Sequence, residues 1–166
     1  IHASIPSLIG GIIITLAIWQ INSPSWLSWI TIPITIFALF GFEWLVHKHV
    51  LHQKRKFLEV IYERHELAHH VIYTNHDMEM RSLRELFLIL MPPYAILLVF
   101  LLLIPLALVL GFVLGGNVAW MMLATCMVFF LSYEWLHFAY HLPSDSGVGG
   151  WRIVQKLRTH HQEHHN

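Results

Sequence analysis

Ten of the fourteen histidines in this 166-residue chain fall into four short groups: His47 with His52, His65 with His69 and His70, His137 with His141, and His161 with His164 and His165. Neutral imidazole is a ligand for borderline transition metals. Residues three or four apart on an α-helix share a face, so His137 and His141 can grip one ion, and His161, His164 and His165 repeat the arrangement. His65, His69 and His70 follow at spacings of four and five. His47 and His52 are less regular, because five residues turn about 140° past a full turn on a helix of 3.6 residues per turn. Either the helix unwinds there or His52 pairs with His49. Ten imidazoles exceed the ligands of one tetrahedral or one octahedral ion, so the count predicts two metals.

Glu43 and Glu134 stand near the ends of otherwise uncharged apolar runs and lead into histidines through similar phrases, Glu43-Trp44-Leu45-Val46-His47 and Glu134-Trp135-Leu136-His137. Each is expected to accept the second ring N–H of the histidine that follows, fixing its tautomer. The alternative is a glutamate that snorkels to the interface. His49, His76 and His160 adjoin the groups and fit either a supporting or a solvent-exposed role, whereas His2 is expected to be no ligand.

These residues need a scaffold, and composition says which. The chain is 56% hydrophobic and 12% charged, with a mean hydropathy of +0.57, which predicts an all-α integral membrane protein. Ten basic and ten acidic residues cancel, and no block of like charge points to nucleic acid. The single cysteine, Cys126, excludes an intrachain disulfide and is read as a packing residue. The chain opens on Ile1 and stops one residue past His165, from which we expect both ends of a longer protein to lie outside it; no basic segment precedes the first apolar run, so a signal peptide is not expected.

Four apolar stretches, about residues 5–21, 26–46, 86–110 and 118–136, predict four transmembrane helices arranged as two hairpins. The first is short and carries Gly10 and Gly11; Pro92, Pro93 and Pro105 should kink the third. Lys48, Lys54, Arg55, Lys56, Arg64, Arg81 and Arg84 lie between the hairpins, and Arg152, Lys156 and Arg158 in the tail. The positive-inside rule places both segments in the cytoplasm, where a helical cap, with helical periodicity around Leu58–Ala68, would hold the histidines as one dimetal site. Trp26, Trp29, Trp44, Trp135 and Trp151 near the span ends read as interfacial anchors.

The boxes at 47–52, His-Glu-Leu-Ala-His-His at 65–70, His-Phe-Ala-Tyr-His at 137–141 and His-Gln-Glu-His-His at 161–165 resemble those of the fatty acid hydroxylase superfamily, which includes sterol desaturases and fatty acid 2-hydroxylases. The resemblance covers about residues 40–166. Within it, Asp77, Arg81 and Met91-Pro92-Pro93 make the chain look most like the 2-hydroxylases. It implies a dimetal centre, in that family regarded as diiron, that uses O2 to hydroxylate or desaturate an unactivated C–H bond of a fatty acyl or related lipid. Zinc suits an all-imidazole site and can occupy it after purification, but it is not redox-active. No cytochrome b5-like domain is present, so a separate cytochrome b5-like or ferredoxin-like electron donor is expected. Sterol and carotenoid substrates stay open, as does a non-catalytic metal-binding or transport role, although the spans lack the mid-membrane charges that transport needs.

Overall fold

The computed structural model describes residues 3–165; His2 lies outside them. The described residues form helices and no strand: α1 (Ser4–Gln20), α2 (Trp26–Val46), a π-helical turn (His47–Leu51), α3 (Glu59–Tyr62), a second π-helical turn (Glu63–His69), α4 (His70–Ile72), a 3₁₀ turn (Leu83–Glu85), α5 (Leu86–Ile89), α6 (Pro93–Leu114), α7 (Gly116–Tyr140) and α8 (Arg152–His164). Three helical segments among them are long and apolar enough to cross a membrane: Trp26–Leu51, Ile96–Leu114 and Gly116–Tyr140. The apolar α1, at 17 residues, is shorter.

The third apolar stretch starts later than the sequence reading has it. Residues 86–89 form a separate short helix, and α6 begins at Pro93. The two prolines explain the break: a residue before proline is pushed out of the helical region, and proline itself is tolerated at the first helical position. Pro105 leaves α6 continuous.

The chain divides into two compact units. The first comprises residues 1–42 and 92–132. Within it Ala107, Ala119, Met122 and Cys126 form a buried cluster packed by Leu39, Leu103, Leu110 and Leu123. A Cβ built on Gly111 would lie 3.3 Å from that of Ala119, so the small residues let α6 and α7 approach closely. Gly115, the single residue between them, has φ +100°, which glycine adopts without steric penalty. Asn22 and Asn117 tie the α1–α2 connection to the start of α7: the Asn22 N–H donates to Asn117 Oδ1 at 3.0 Å, and Asn117 Nδ2 donates to the Asn22 carbonyl at 2.7 Å. Large apolar side chains such as Phe37 and Phe112 point outward. Hydroxyls on these helices bond back to the preceding turn, Thr31 to Leu27 O and Thr125 to Met121 O, as an apolar surrounding requires.

The second unit, residues 43–91 and 133–166, contains all four histidine groups. Its small apolar core is Tyr73, Met78, Met80 and Ile89, packed by Leu86, Leu88, Phe138 and Leu142. The carbonyls freed at the α5 break are taken up by Arg64, which donates to Leu90 O at 3.1 Å and also to Phe87 O. On α8, Val154, Arg158, His161 and His165 recur at three- and four-residue spacing. Val154, Arg158 and His165 are buried and His161 half-buried, so one face of the helix turns inward.

Candidate metal centre

The ten histidines meet as two neighbouring groups. His47, His52, His65 and His164 form one; His69, His137, His141 and His161 form the other, and in each the ligand nitrogens lie within 4.8 Å of one another. His70 joins the first, its Nε2 3.2 Å from that of His65, and His165 joins the second, its Nε2 3.1 Å from that of His161. The rings of His70 and His165 stack 4.1 Å apart where the groups adjoin.

The grouping follows the helices, not the sequence boxes. His69-His70 and His164-His165 each send one ring to each group, because consecutive residues on a helix point about 100° apart and cannot both face one ion. Pairs four apart at the C-terminal ends of α7 and α8, His137 with His141 and His161 with His165, serve the second group. Pairs five apart, His47 with His52 and His65 with His70, serve the first. There the backbone widens into π-helix: the N–H of His52 reaches His47 O at 3.2 Å, and the N–H of His70 bonds to His65 O. The helix thus unwinds at His47, and the alternative pairing of His52 with His49 is not the one found. His49 instead lies edge-on to Trp44, its carbonyl accepting Arg55 Nε at 2.9 Å.

The rings converge through their Nε2 atoms. His47 and His52 approach His164 at 2.9 and 3.2 Å, His137 approaches His69 at 3.3 Å, and His141 approaches His161 at 3.2 Å. These separations fit ligand nitrogens around an ion: a metal–nitrogen distance of about 2.1 Å gives polyhedron edges of roughly 3.0 to 3.4 Å. Four Nδ1 atoms face acceptors on the far side of their rings. His141 donates to Met78 O at 2.8 Å and His165 to Tyr73 O at 2.6 Å; His52 pairs with Glu66, and His47 Nδ1 lies 3.4 Å from Glu43 Oε1. A proton on Nδ1 leaves the Nε2 lone pair free to bind metal. Each such Nε2–Nε2 contact needs a ring proton or a cation between the two nitrogens.

Electrostatics agree. Burial first, and then the neighbouring imidazoles, hold His65, His69, His70 and His161 far below the usual histidine range. Burial pushes His141 and His164 down to about 3 and lowers His165 as well. The rings are therefore neutral at pH 7, the form that coordinates metal. These groups of histidines can hold metal ions; all-imidazole sets suit zinc, copper, iron and nickel alike.

No family model, curated protein or solved structure matches the chain.

The remaining candidates fall on different neighbours. The Glu134 carboxylate accepts the N–H of Met91 at 2.9 Å, filling a donor left open by the break before Pro92. His76 is exposed and lines a half-open polar pocket with Asp77, Glu79 and Arg158. His160 is exposed and lies 3.7 Å from Glu163. The sequence reading overlooked Glu66, although it stands inside the box at 65–70. It also missed the carbonyls of Tyr73 and Met78, which carry no side-chain signal.

Proposed function

We propose that this chain is a membrane oxygenase that hydroxylates an unactivated C–H bond of a fatty acyl or related lipid at a histidine-held dimetal centre, as in the fatty acid hydroxylase superfamily. The observation that carries the reading is the division of ten imidazoles into two adjoining groups of five with shared His-His pairs. A lone structural ion needs about four ligands, not ten. In this reading α1 joins the three longer spans to make four, paired as two hairpins, with the histidine unit as a cytoplasmic cap.

A bound pair of redox-active ions, with iron the best fit to this chemistry, supplies O2 activation, in which C–H, O2, two electrons and two protons yield C–OH and water. The electrons come from a cytochrome b5-like or ferredoxin-like donor. The protein's own part is to hold the imidazoles neutral and oriented. Met78 O and Tyr73 O fix the rings of His141 and His165, and Glu66 and Glu43 face the outer nitrogens of His52 and His47. Two span candidates run directly into ligands, Trp26–Leu51 through His47 and Gly116–Tyr140 through His137, which suits a substrate that stays in the bilayer.

The test is mass spectrometry of total lipids from cells expressing the chain or its His164→Ala variant. Lipids that gain one oxygen only with the wild-type chain support hydroxylation and identify the substrate class. Loss of two hydrogens would make the chain a desaturase. Identical lipidomes, with donor and metal supplied, would refute the oxidative reading.

A further inference from the structure

The two groups of imidazoles are held by different means. In the second group the outer nitrogens of His141 and His165 meet backbone carbonyls, and that of His69 is buried without a partner. His141 is gripped twice, through Nδ1 by Met78 O at 2.8 Å and through its own carbonyl by Met80 N–H at 2.7 Å. Glu79, between those two residues, accepts both the N–H and the hydroxyl of Ser144, at 2.8 and 2.5 Å, and lies 3.6 Å from the buried guanidinium of Arg158. His69 and His141 are fully buried and His137 nearly so.

The first group is looser. His52 lies just past the π-helical turn, outside any helix, and its Nδ1 partner Glu66 has a side chain 36% exposed. His47, His52 and His164 are all half-buried, and Glu43, facing His47, is half-exposed too. His52, Glu66 and His70 are also close enough to share an ion, the one carboxylate within a metal-capable group among the described residues. A carbonyl inside a packed core keeps its place. An exposed carboxylate is screened by water and must be ordered each time it binds. Water and competing ligands can reach His52 and His164 without opening the core.

We propose that the two positions hold metal unequally: the ion among His47, His52, His65 and His164 exchanges first, with Glu66 as the positioning residue that sets its hold, while the ion among His69, His137, His141 and His161 is retained. The inference rests on the dimetal reading above and adds an order of loading and loss. It also makes the first position the one open to an added small ligand.

The experiment uses the full chain in detergent, loaded with Zn²⁺ and mixed with excess chromophoric chelator. Two phases of one equivalent each are expected, separated by roughly tenfold or more in rate. Glu66→Gln should quicken the fast phase and leave the slow one alone. Glu79→Gln, behind His141, should quicken only the slow phase. Release of both equivalents in one phase, or a Glu66→Gln effect absent or confined to the slow phase, overturns the proposal while leaving the dimetal reading standing. A wild-type chain that binds no zinc overturns both.

Discussion

The backbone N–H of His52 bonds to the carbonyl of His47 at 3.2 Å, so a single π-helical turn brings together two rings that an α-helix would splay apart. Their centroids lie 5.0 Å from each other. π-Helical turns are uncommon and frequently mark functional sites. Inserting an alanine after Val50 sets His52 six residues from His47, more than about 100° away from its face on either helix type. The insertion variant is expected to keep one of two metal equivalents, read by elemental analysis of purified protein. Retention of both would show that the turn does not position His52.

Acid should weaken the metal-free fold. The folded-state proton affinities of His65, His69, His70, His141, His161, His164 and His165 all lie below the ordinary value of 6.5, chiefly through burial. The unfolded chain then binds protons near pH 6.5 that the folded chain does not, so the neutral rings' share of stability is present above 6.5 and lost as pH falls toward about 3. Chemical denaturation of the metal-free protein should show a midpoint that declines steadily between about pH 6.5 and pH 4. A midpoint that is flat or rises on acidification contradicts the burial described for these rings. With metal bound, the same acidification should release it, since protons compete for the nitrogens.

Glu134 separates two roles. Its carboxylate accepts the Met91 N–H at 2.9 Å. Glu134→Ala leaves that buried donor unpaired and should destabilise the protein by about 1–3 kcal/mol with metal content unchanged. Glu134→Gln, which can still accept the bond, should recover most of the loss in a thermal-unfolding assay. If Glu134→Ala instead strips metal, the carboxylate serves His137, as its spacing in the sequence had suggested.

The histidines outside the two groups supply the controls. His76 and His160 are exposed, and His49 contacts Trp44, so alanine at any of the three should leave both equivalents in place. Metal loss in the His76 or His160 variant would mean that the groups have been drawn wrongly.

Much of this was legible in the sequence, for definite physical reasons. Uncharged stretches of span length announce helices, and Pro92-Pro93 announces a break, though not that α6 would begin only at Pro93. Histidine type and number announce a group able to hold metal. Which ring joins which group was not legible, because spacing alone assumes one helix type throughout. The widening at His47–Leu51 and Glu63–His69 converts five-residue spacings into shared faces. The backbone carbonyls behind His141 and His165 are invisible to any reading of side chains. The Glu134 contact was not legible either: its helical register points toward His137, and the Met91 N–H that its carboxylate accepts comes from a distant break in the chain.

The proposed dimetal centre is tested most directly by metal analysis of the purified chain beside its His161→Ala and His164→Ala variants, one from each group. Two ions per wild-type chain and no more than one in each variant is the predicted result. A wild-type chain without bound metal, or variants that both keep two ions, would contradict it.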